Sequence, residues 1–598
     1  MSLPSRLALL GRLYHTLVDI GPVRLQRRFR YELKQRLDRR LPPQIALVWA
    51  GAHRHQPGWR TTNSSESGDG VLAPPLPAVD LLVVSFSFLN QERQLPWPIQ
   101  WNDPQWPRLW QFHLYYFDWA REWLKDALNT GCWPDQAVAL QPLLDSWIAA
   151  NPPGRGDGWH SYTLSLRTRN WVALFRGCPS LATPERLQSL WQQLCWLQAH
   201  PEHCHGGNHW LENLTALAVG GLQFEGPNAS RMHRRAMRLL QRELRQQVLG
   251  DGGHEERSAS YHLLMLDRLA ELAHALQSTN GDQPPWLVEA IEAMAHWVQL
   301  VRLETGQAPR FNDSAADAAP PLDAVLAFAT ALLPQSSPSA EHPLPEVAVS
   351  DLPDTGWTFL RPGHGWELVF KCGIPCPNHL PPHVHSDQLS FELCHHGRWL
   401  LSEAGTSIYG NGPDRAYERS GAAHNVLQLG VERAPGVIRW IEPVDVWGGF
   451  RAGRKAQPRD RSCGQTAQGV CFAAGSHNGF DHIGASHHRC VTIRDPQPSQ
   501  INIDVLDTVI TRVPLHVRQW WHLGPEIDHE LLGQLELQAP TLAAAESTWH
   551  STWFATGFGQ RLPRQSLCLA GRLPAGEHQL RCSVPLIHLN PPACRASG

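Results

Sequence analysis

The chain has 598 residues, and its 52 basic and 55 acidic side chains leave a net charge of −3. That length is too great for one ordinary core and calls for roughly two to four domains. The near-neutral balance creates no whole-molecule field that would recruit nucleic acid or a membrane, and no nucleic-acid partner is expected. Tryptophan is abundant at 26 residues against 8 tyrosines. Indoles stack on sugar rings, but their first use is to fill cores. The 13 cysteines are odd in number and irregularly spaced, which is not a disulfide framework.

Residues 1–52 read as a basic amphipathic helical segment. A helix over 5–20 is broken by Gly21-Pro22 and resumes over 23–40 with Arg24, Arg27, Arg28, Arg30, Lys34, Arg36, Arg39 and Arg40. Such a helix either touches an anionic membrane surface weakly or carries a solvated face. The opening stretch has no uninterrupted apolar region and no small-residue cleavage site of the kind a secretory signal needs. No run approaches the ~20 apolar residues of a membrane span. The expectation is therefore a cytoplasmic protein without a transmembrane segment, a periplasmic or cell-envelope location being the alternative. The sequence does not determine an oligomeric state.

Residues 53–96 read as a linker and short strand, rich in Pro, Gly and Ser up to about 79. Over 97–333 the pattern turns helical. Trp106, Trp110, Leu114 and Phe117 keep a 3–4 spacing, as do Leu187, Leu190, Trp191, Leu194 and Leu197, and 286–303 continues it. Short Pro/Gly breaks at 151–154 and 250–253 predict antiparallel helix pairs, which make a ring or solenoid. Two polar clusters lie here. Gly206-Gly207-Asn208-His209-Trp210-Leu211-Glu212-Asn213 opens a helix, where Asn208 has the ordinary alternative of an N-cap. Asp251-Gly252-Gly253-His254-Glu255-Glu256-Arg257 leads to Tyr261, on one stripe with Met265, Leu269, Leu272 and Leu276, the usual place of a core aromatic.

Residues 334–350 form a Pro/Ser-rich linker, and over 351–598 short alternating runs dominate: 366–371, 426–429, 501–505, 515–521 and 578–582. These predict an antiparallel sandwich of many strands. At its head, His383, His385 and Asp387 alternate and would share one face of an extended chain. Leu389, Phe391 and Leu393 read as a half-buried strand, His395-His396-Gly397 as a turn, and Trp399, Leu401 and Glu403 as the returning strand. With His424-Asn425 these residues suit a metal or acid/base cluster, or a histidine-rich surface strand. A second pattern, Cys372-x3-Cys376-x2-His379-x3-His383, lacks two well-separated ligand pairs and reads as a decoy.

Taken in order, GNHWLEN, DGGHEERSASYH and HVHSDQLSFELCHHGRWLLSEAGTSIY with RSGAAHNV resemble the heparinase II/III-like family of polysaccharide lyases, alginate lyases included. The resemblance implies a multidomain α+β protein, an incomplete (α/α) toroid followed by a layered antiparallel β-sandwich domain. It implies β-elimination on an acidic, uronic-acid-containing polysaccharide. Asn208 and His209 match the positions that hold the uronate carboxylate, Tyr261 the tyrosine acid/base and His383 the histidine base or its partner. His385, Glu403 and His424 match the ligands of one structural divalent ion, zinc or calcium, although Glu403 stands where the family has Asp. Glu212, Arg415 and Arg419 are expected to contact substrate, Arg415 and Arg419 being equally suited to structural ion pairs. Two other readings remain open: a glycoside hydrolase using Glu212, Glu255 or Glu256, and a non-catalytic polysaccharide-binding or assembly protein.

Overall fold

The computed structural model describes residues 3–52, 57–60, 83–130, 133–279, 281–334, 348–497, 500–525, 527, 536–538 and 546–587. Most of the two expected linkers, 53–96 and 334–350, lies outside them. The chain folds as two compact units. One comprises 1–22, 246–267 and 289–598, and the other 23–245 and 268–288. The sequence boundary near 333 therefore differs from the structural one: residues 246–267 and 289–333 belong to the compact unit of the β-domain.

The helices are α1 (Leu3–Ile20), α2 (Pro22–Asp38), α3 (Pro43–Trp49), α4 (Arg108–Tyr116), α5 (Asp118–Thr130), α6 (Trp133–Ala150) and α7 (Ser161–Gly177). They continue as α8 (Pro184–Ala199), α9 (Gly207–Gln223), α10 (Pro227–Gln247), α11 (Ala259–Gln277), α12 (Pro285–Val301), α13 (Leu322–Thr330) and the short α14 (Pro413–Arg419). Pro22 opens α2, where its missing N–H costs nothing, so the Gly-Pro break starts a helix as expected. In the helical unit α7 is buried on nearly every side, packed by α4, α5, α8 and α9. The predicted stripe of α8 is buried throughout, from Leu187 to Leu197. Trp147, Trp171 and Phe117 meet edge to face, and the Arg167 guanidinium lies 3.8 Å from the Trp147 ring centre. The Arg167 charge is satisfied by the Gly158 carbonyl at 2.7 Å and Gln193 at 2.8 Å. Tryptophan is spent on cores: Trp101, Trp110, Trp147, Trp171, Trp297, Trp357 and Trp521 are all fully buried.

The β-domain is antiparallel throughout its described pairings. A five-stranded meander runs Val349–Leu352, Trp357–Gly363, Trp366–Lys371, Phe391–His395 and Arg398–Leu401. A six-stranded sheet is built on the long pair Ala485–Gln497 and Gln500–Thr511, and a second five-stranded sheet is centred on Leu515–His522. One core joins the three sheets, with Leu368, Phe370, Phe391, Val491, Ile503 and Trp521 at its middle. This is the layered domain that the period-two pattern predicts. Two local readings are corrected. Phe391–His395 is buried on both faces, so Glu392 and Cys394 are interior rather than solvent-facing. Residues 383–390 are loop rather than strand: Ser386 N–H bonds to the Arg419 carbonyl and His385 N–H to Asn312, and only Leu389 and Ser390 reach the meander, at Lys371.

Candidate active site

Tyr261 and His383 are neighbours. Their rings stack with centroids 3.8 Å apart and planes tilted by 35°. Tyr261, at the start of α11, is only half-buried, which corrects the core reading of its stripe, whereas Met265, Leu269, Leu272 and Leu276 are buried. The turn before α11 explains the glycines. Gly252 has φ +85°, and a Cβ there would meet the Ala293 carbonyl oxygen at 2.3 Å. Asp251 fixes the same turn by accepting from the Gly253 and Thr355 amides at 3.1 and 2.6 Å. Ser258 and Ser260 then donate to the carbonyls of Asp313 and Ala315 at 2.6 and 2.7 Å, tying the start of α11 to the segment 311–315.

That segment carries the residue that the sequence reading missed. Asp313 is fully buried and accepts from four side chains. His383 Nδ1 is 3.0 Å away, His385 Nε2 2.8 Å, Thr406 3.1 Å, and Arg415 clamps both carboxylate oxygens, with its Nη2 at 2.7 Å. Burial alone would raise the Asp313 carboxyl, but the Arg415 guanidinium and the bonds from both imidazoles hold it well below the usual carboxylate range. The other His383 nitrogen, Nε2, lies 3.3 Å from Glu256. A buried carboxylate on Nδ1 fixes the ring's orientation and tautomer, the arrangement that leaves Nε2 for proton transfer. The Tyr261 hydroxyl is 3.0 Å from that of Tyr409. Burial, and then the Asp313 charge, push the Tyr409 phenol above its usual range, so it keeps its proton and can donate it to the Tyr261 oxygen. Asn312, at φ +58°, makes the turn to Asp313 and receives Lys371 Nζ at 2.9 Å.

Arg415 and Arg419 are not groove residues. Arg415 is spent on Asp313, and Arg419 donates to the carbonyls of Val384, Gly448 and Arg451 at 3.0–3.1 Å. Both are buried, because α14 packs its arginines against the loop that carries His383. Asp387 pairs with Lys371 at 2.6 Å, and despite burial its carboxyl is held at about 2 by that ammonium.

Of the expected metal ligands, Glu403 and His424 touch directly, Glu403 Oε2 against His424 Nδ1, while Ser390 donates to Glu403 Oε1. His385 turns its Nε2 to Asp313 instead, although its ring centre is 5.3 Å from that of His424. Among the described residues no three His, Cys, Asp or Glu side chains gather as a metal ion requires. The expected convergence of all three therefore fails, and the reason is the stronger acceptor at Asp313. Two imidazole nitrogens there, His385 Nδ1 and His424 Nε2, are nonetheless buried without a hydrogen-bond partner, and atoms of this kind suit a divalent ion. At the Cys372 and Cys376 pattern, burial pushes the thiols up to about 12 and about 11, the reverse of what a thiolate ligand needs.

The other unit holds Asn208, His209 and Glu212. Gly206 and Gly207 have φ of +72° and +54°, a backbone that favours glycine, and they turn the chain into α9. Gly206 is the cap, so Asn208 and His209 lie in the first helical turn, and the N-cap alternative for Asn208 is corrected. His209 is 40% exposed, stacks on Tyr162 at 4.4 Å and places Nδ1 3.1 Å from Glu202. Glu202 is a second residue that went unread. Burial would raise its carboxyl, but His209 and His160 hold it at about 2. Glu212 does not face substrate: it is fully buried, 3.0 Å from Arg268 and 3.7 Å from Arg169.

A family model for the heparinase II/III N-terminus matches residues 95–337, and one for the heparinase II/III-like C-terminal domain matches 345–583. Heparin-sulfate lyases of Pedobacter heparinus and Bacteroides thetaiotaomicron are 24% and 25% identical to it. Those matches run over 349 and 345 residues, covering 52% and 49% of this chain and 49% and 48% of theirs. FtsZ-localized protein C of Caulobacter vibrioides is 24% identical over 314 residues, 52% of this chain and 51% of its own. The chain spans about half the length of the curated relatives it matches. Among solved structures, heparinase III superposes with a TM-score of 0.63 at 16% identity over 82% of this chain and 80% of its own. A heparan sulfate lyase from Pedobacter heparinus gives 0.51 at 17% over 92% and 89%. These structures share its fold, the helical toroid followed by the layered β-domain. The chain belongs to the heparinase II/III-like family.

Proposed function

We propose that this member of the family is a polysaccharide lyase that cleaves a uronic-acid-containing polysaccharide by β-elimination. The observation that carries the reading is the Tyr261 ring stacked on a His383 imidazole oriented by buried Asp313. The names of the curated relatives support it. In the reaction a base takes the C5 proton, the C–H electron pair becomes a C4–C5 double bond, the C4–O4 bond breaks, and an acid protonates O4. The C5 proton is weakly acidic while the neighbouring carboxylate keeps its charge. Donors at that carboxylate stabilise the developing enediolate, usually the largest catalytic effect. The family resemblance gives this role to Asn208 and His209, in a first helical turn whose dipole favours an anion. His383 and Tyr261 divide the base and acid roles, Tyr409 supporting the Tyr261 oxygen. A divalent ion at His385, Glu403 and His424, as part of the same proposal, would be structural and hold the loop that bears His383.

The test is incubation of the purified protein with a panel of uronate polymers, read in the ultraviolet. Elimination leaves a double bond conjugated with the carboxylate, which absorbs; reducing ends without that chromophore would mean hydrolysis and end the proposal. Hydrolysis is disfavoured because one candidate carboxylate, Glu212, is locked in ion pairs. A non-catalytic reading is favoured by one relative, whose name gives a location rather than a reaction; it predicts neither product.

A further inference from the structure

The N-terminal helices carry their amphipathicity inside out. α1 is held to the β-domain by polar contacts: Arg12 clamps Asp445 at 2.7–3.0 Å, Thr16 donates to the Ala452 carbonyl at 3.2 Å, and Lys455 reaches Asp19. Residues 12, 16 and 19 form one helical stripe. Leu10, Leu13, Tyr14, Leu17 and Val18 form the opposite stripe, and all are exposed, Tyr14 at 65%. A helix that docks on its own protein ordinarily does so by its apolar face. α2 repeats the arrangement in the other unit. Its inward face is polar: the Tyr31 and Ser161 hydroxyls lie 3.4 Å apart, and Asp38 holds His200 at 2.7 Å. Phe29, Leu33 and Leu37 point outward, Phe29 at 67% exposure, and Trp49 of α3 is 73% exposed. Residues 22–41 also hold eight Arg and Lys against two acidic residues, and Arg36 and Arg40 are exposed beside the apolar ridge of α2.

We propose that α1 and α2, each in its own unit, bind the surface of an anionic lipid bilayer, each apolar ridge entering the headgroup boundary and the arginines meeting lipid phosphates. Single exposed leucines are commonplace, but two ridges, each opposite a polar docking face, demand an apolar medium outside the protein. The excess positive charge selects an anionic surface over a neutral protein partner. The contact is peripheral, since no described helix is long and apolar enough to cross a membrane. The inference is independent of any catalytic activity.

The experiment is flotation of the full chain with vesicles of phosphatidylcholine alone or mixed with phosphatidylglycerol. The protein should float with the mixed vesicles, and high salt should weaken binding. Leu13→Ser with Leu17→Ser should cut the bound fraction about tenfold or more without lowering the melting midpoint, because both side chains face outward. Phe29→Ser, in the other unit, is the second variant and should act likewise should the first pair unfold. Absence of flotation with either vesicle, or full binding by folded variants, overturns the proposal. So does a dimer of the wild type that the substitutions dissolve without changing flotation, since the ridge would then belong to a second copy.

Discussion

The Tyr261 ring lies on the His383 imidazole, 3.8 Å between centroids, although 122 positions separate them in the chain. The contact joins the start of α11 to the loop before the Phe391 strand within one compact unit. Replacing Tyr261 by Phe keeps this stack and deletes only the hydroxyl and its 3.0 Å contact with Tyr409. Folding should survive, while turnover on a polymer cleaved by elimination should fall about 10²-fold or more. Full activity of the Phe variant would remove Tyr261 from the chemistry.

Asp313→Asn tests the buried carboxylate. Arg415 would keep its charge in a fully buried site, and both imidazoles would lose an anionic acceptor. Stranding one half of a buried pair costs about 3–5 kcal/mol, to be read from denaturant unfolding of the two proteins. A loss under about 1 kcal/mol, the range of a surface pair, would show that the clamp is not closed in solution.

Stability should depend on pH from both sides. Burial raises the Glu392 carboxyl from its ordinary 4.5 to about 8, so between those values the folded protein holds a proton that the unfolded chain has lost. Its contribution is complete below about pH 4.5 and disappears as pH rises through about 8. Asp387 and Glu202 act oppositely: held near 2, they stabilise above the usual carboxylate range, and that contribution is lost as pH falls through about 2. Glu392→Gln should flatten the alkaline side of a melting-temperature profile and leave the acid side unchanged. An unchanged alkaline slope would contradict a buried, protonated Glu392.

The cluster at Glu403 and His424 is tested by elemental analysis together with melting in a chelator. An ion held there should be present in the purified protein, disappear in His424→Ala, and lower the melting midpoint when stripped. A metal-free protein indifferent to chelator would leave Glu403, Ser390 and His424 as a hydrogen-bonded cluster alone.

The switch from a 3.6 to a 2.0 period made the two architectures legible, and order along the chain made the family legible before any contact was known. The loop 383–390 reads as a strand because alternation of polar and apolar residues is the same in a loop that turns two imidazoles to one buried acceptor. His383 and His385 do share a direction, but Asp313 imposes it, not a pleat. Asp313 itself carries no local signal. It is one acid in a connecting segment, and its Arg415 partner lies 102 residues away. Arg415 and Arg419 looked like groove cations for the same reason, since a sequence shows charge without showing what has neutralised it.

The last prediction concerns Asn208. The residue lies in the first turn of α9, where Gly206 and Gly207 supply the positive φ values and the helix dipole favours an anion. Under the proposed function, a uronate carboxylate held by Asn208 would gain little from it in the ground state, when its charge is not yet increasing. As the C5 proton leaves, negative charge builds on the carboxylate oxygens, and an amide donor gains strength with it. Asn208→Ala should therefore lower kcat by about 10²-fold while changing KM severalfold at most, the signature of an interaction made mainly in the transition state. Steady-state kinetics of wild type and variant on one cleaved polymer decide it. A rise in KM with kcat unchanged would reduce Asn208 to uniform substrate binding, and equal kinetics would leave it a structural residue of the helix start.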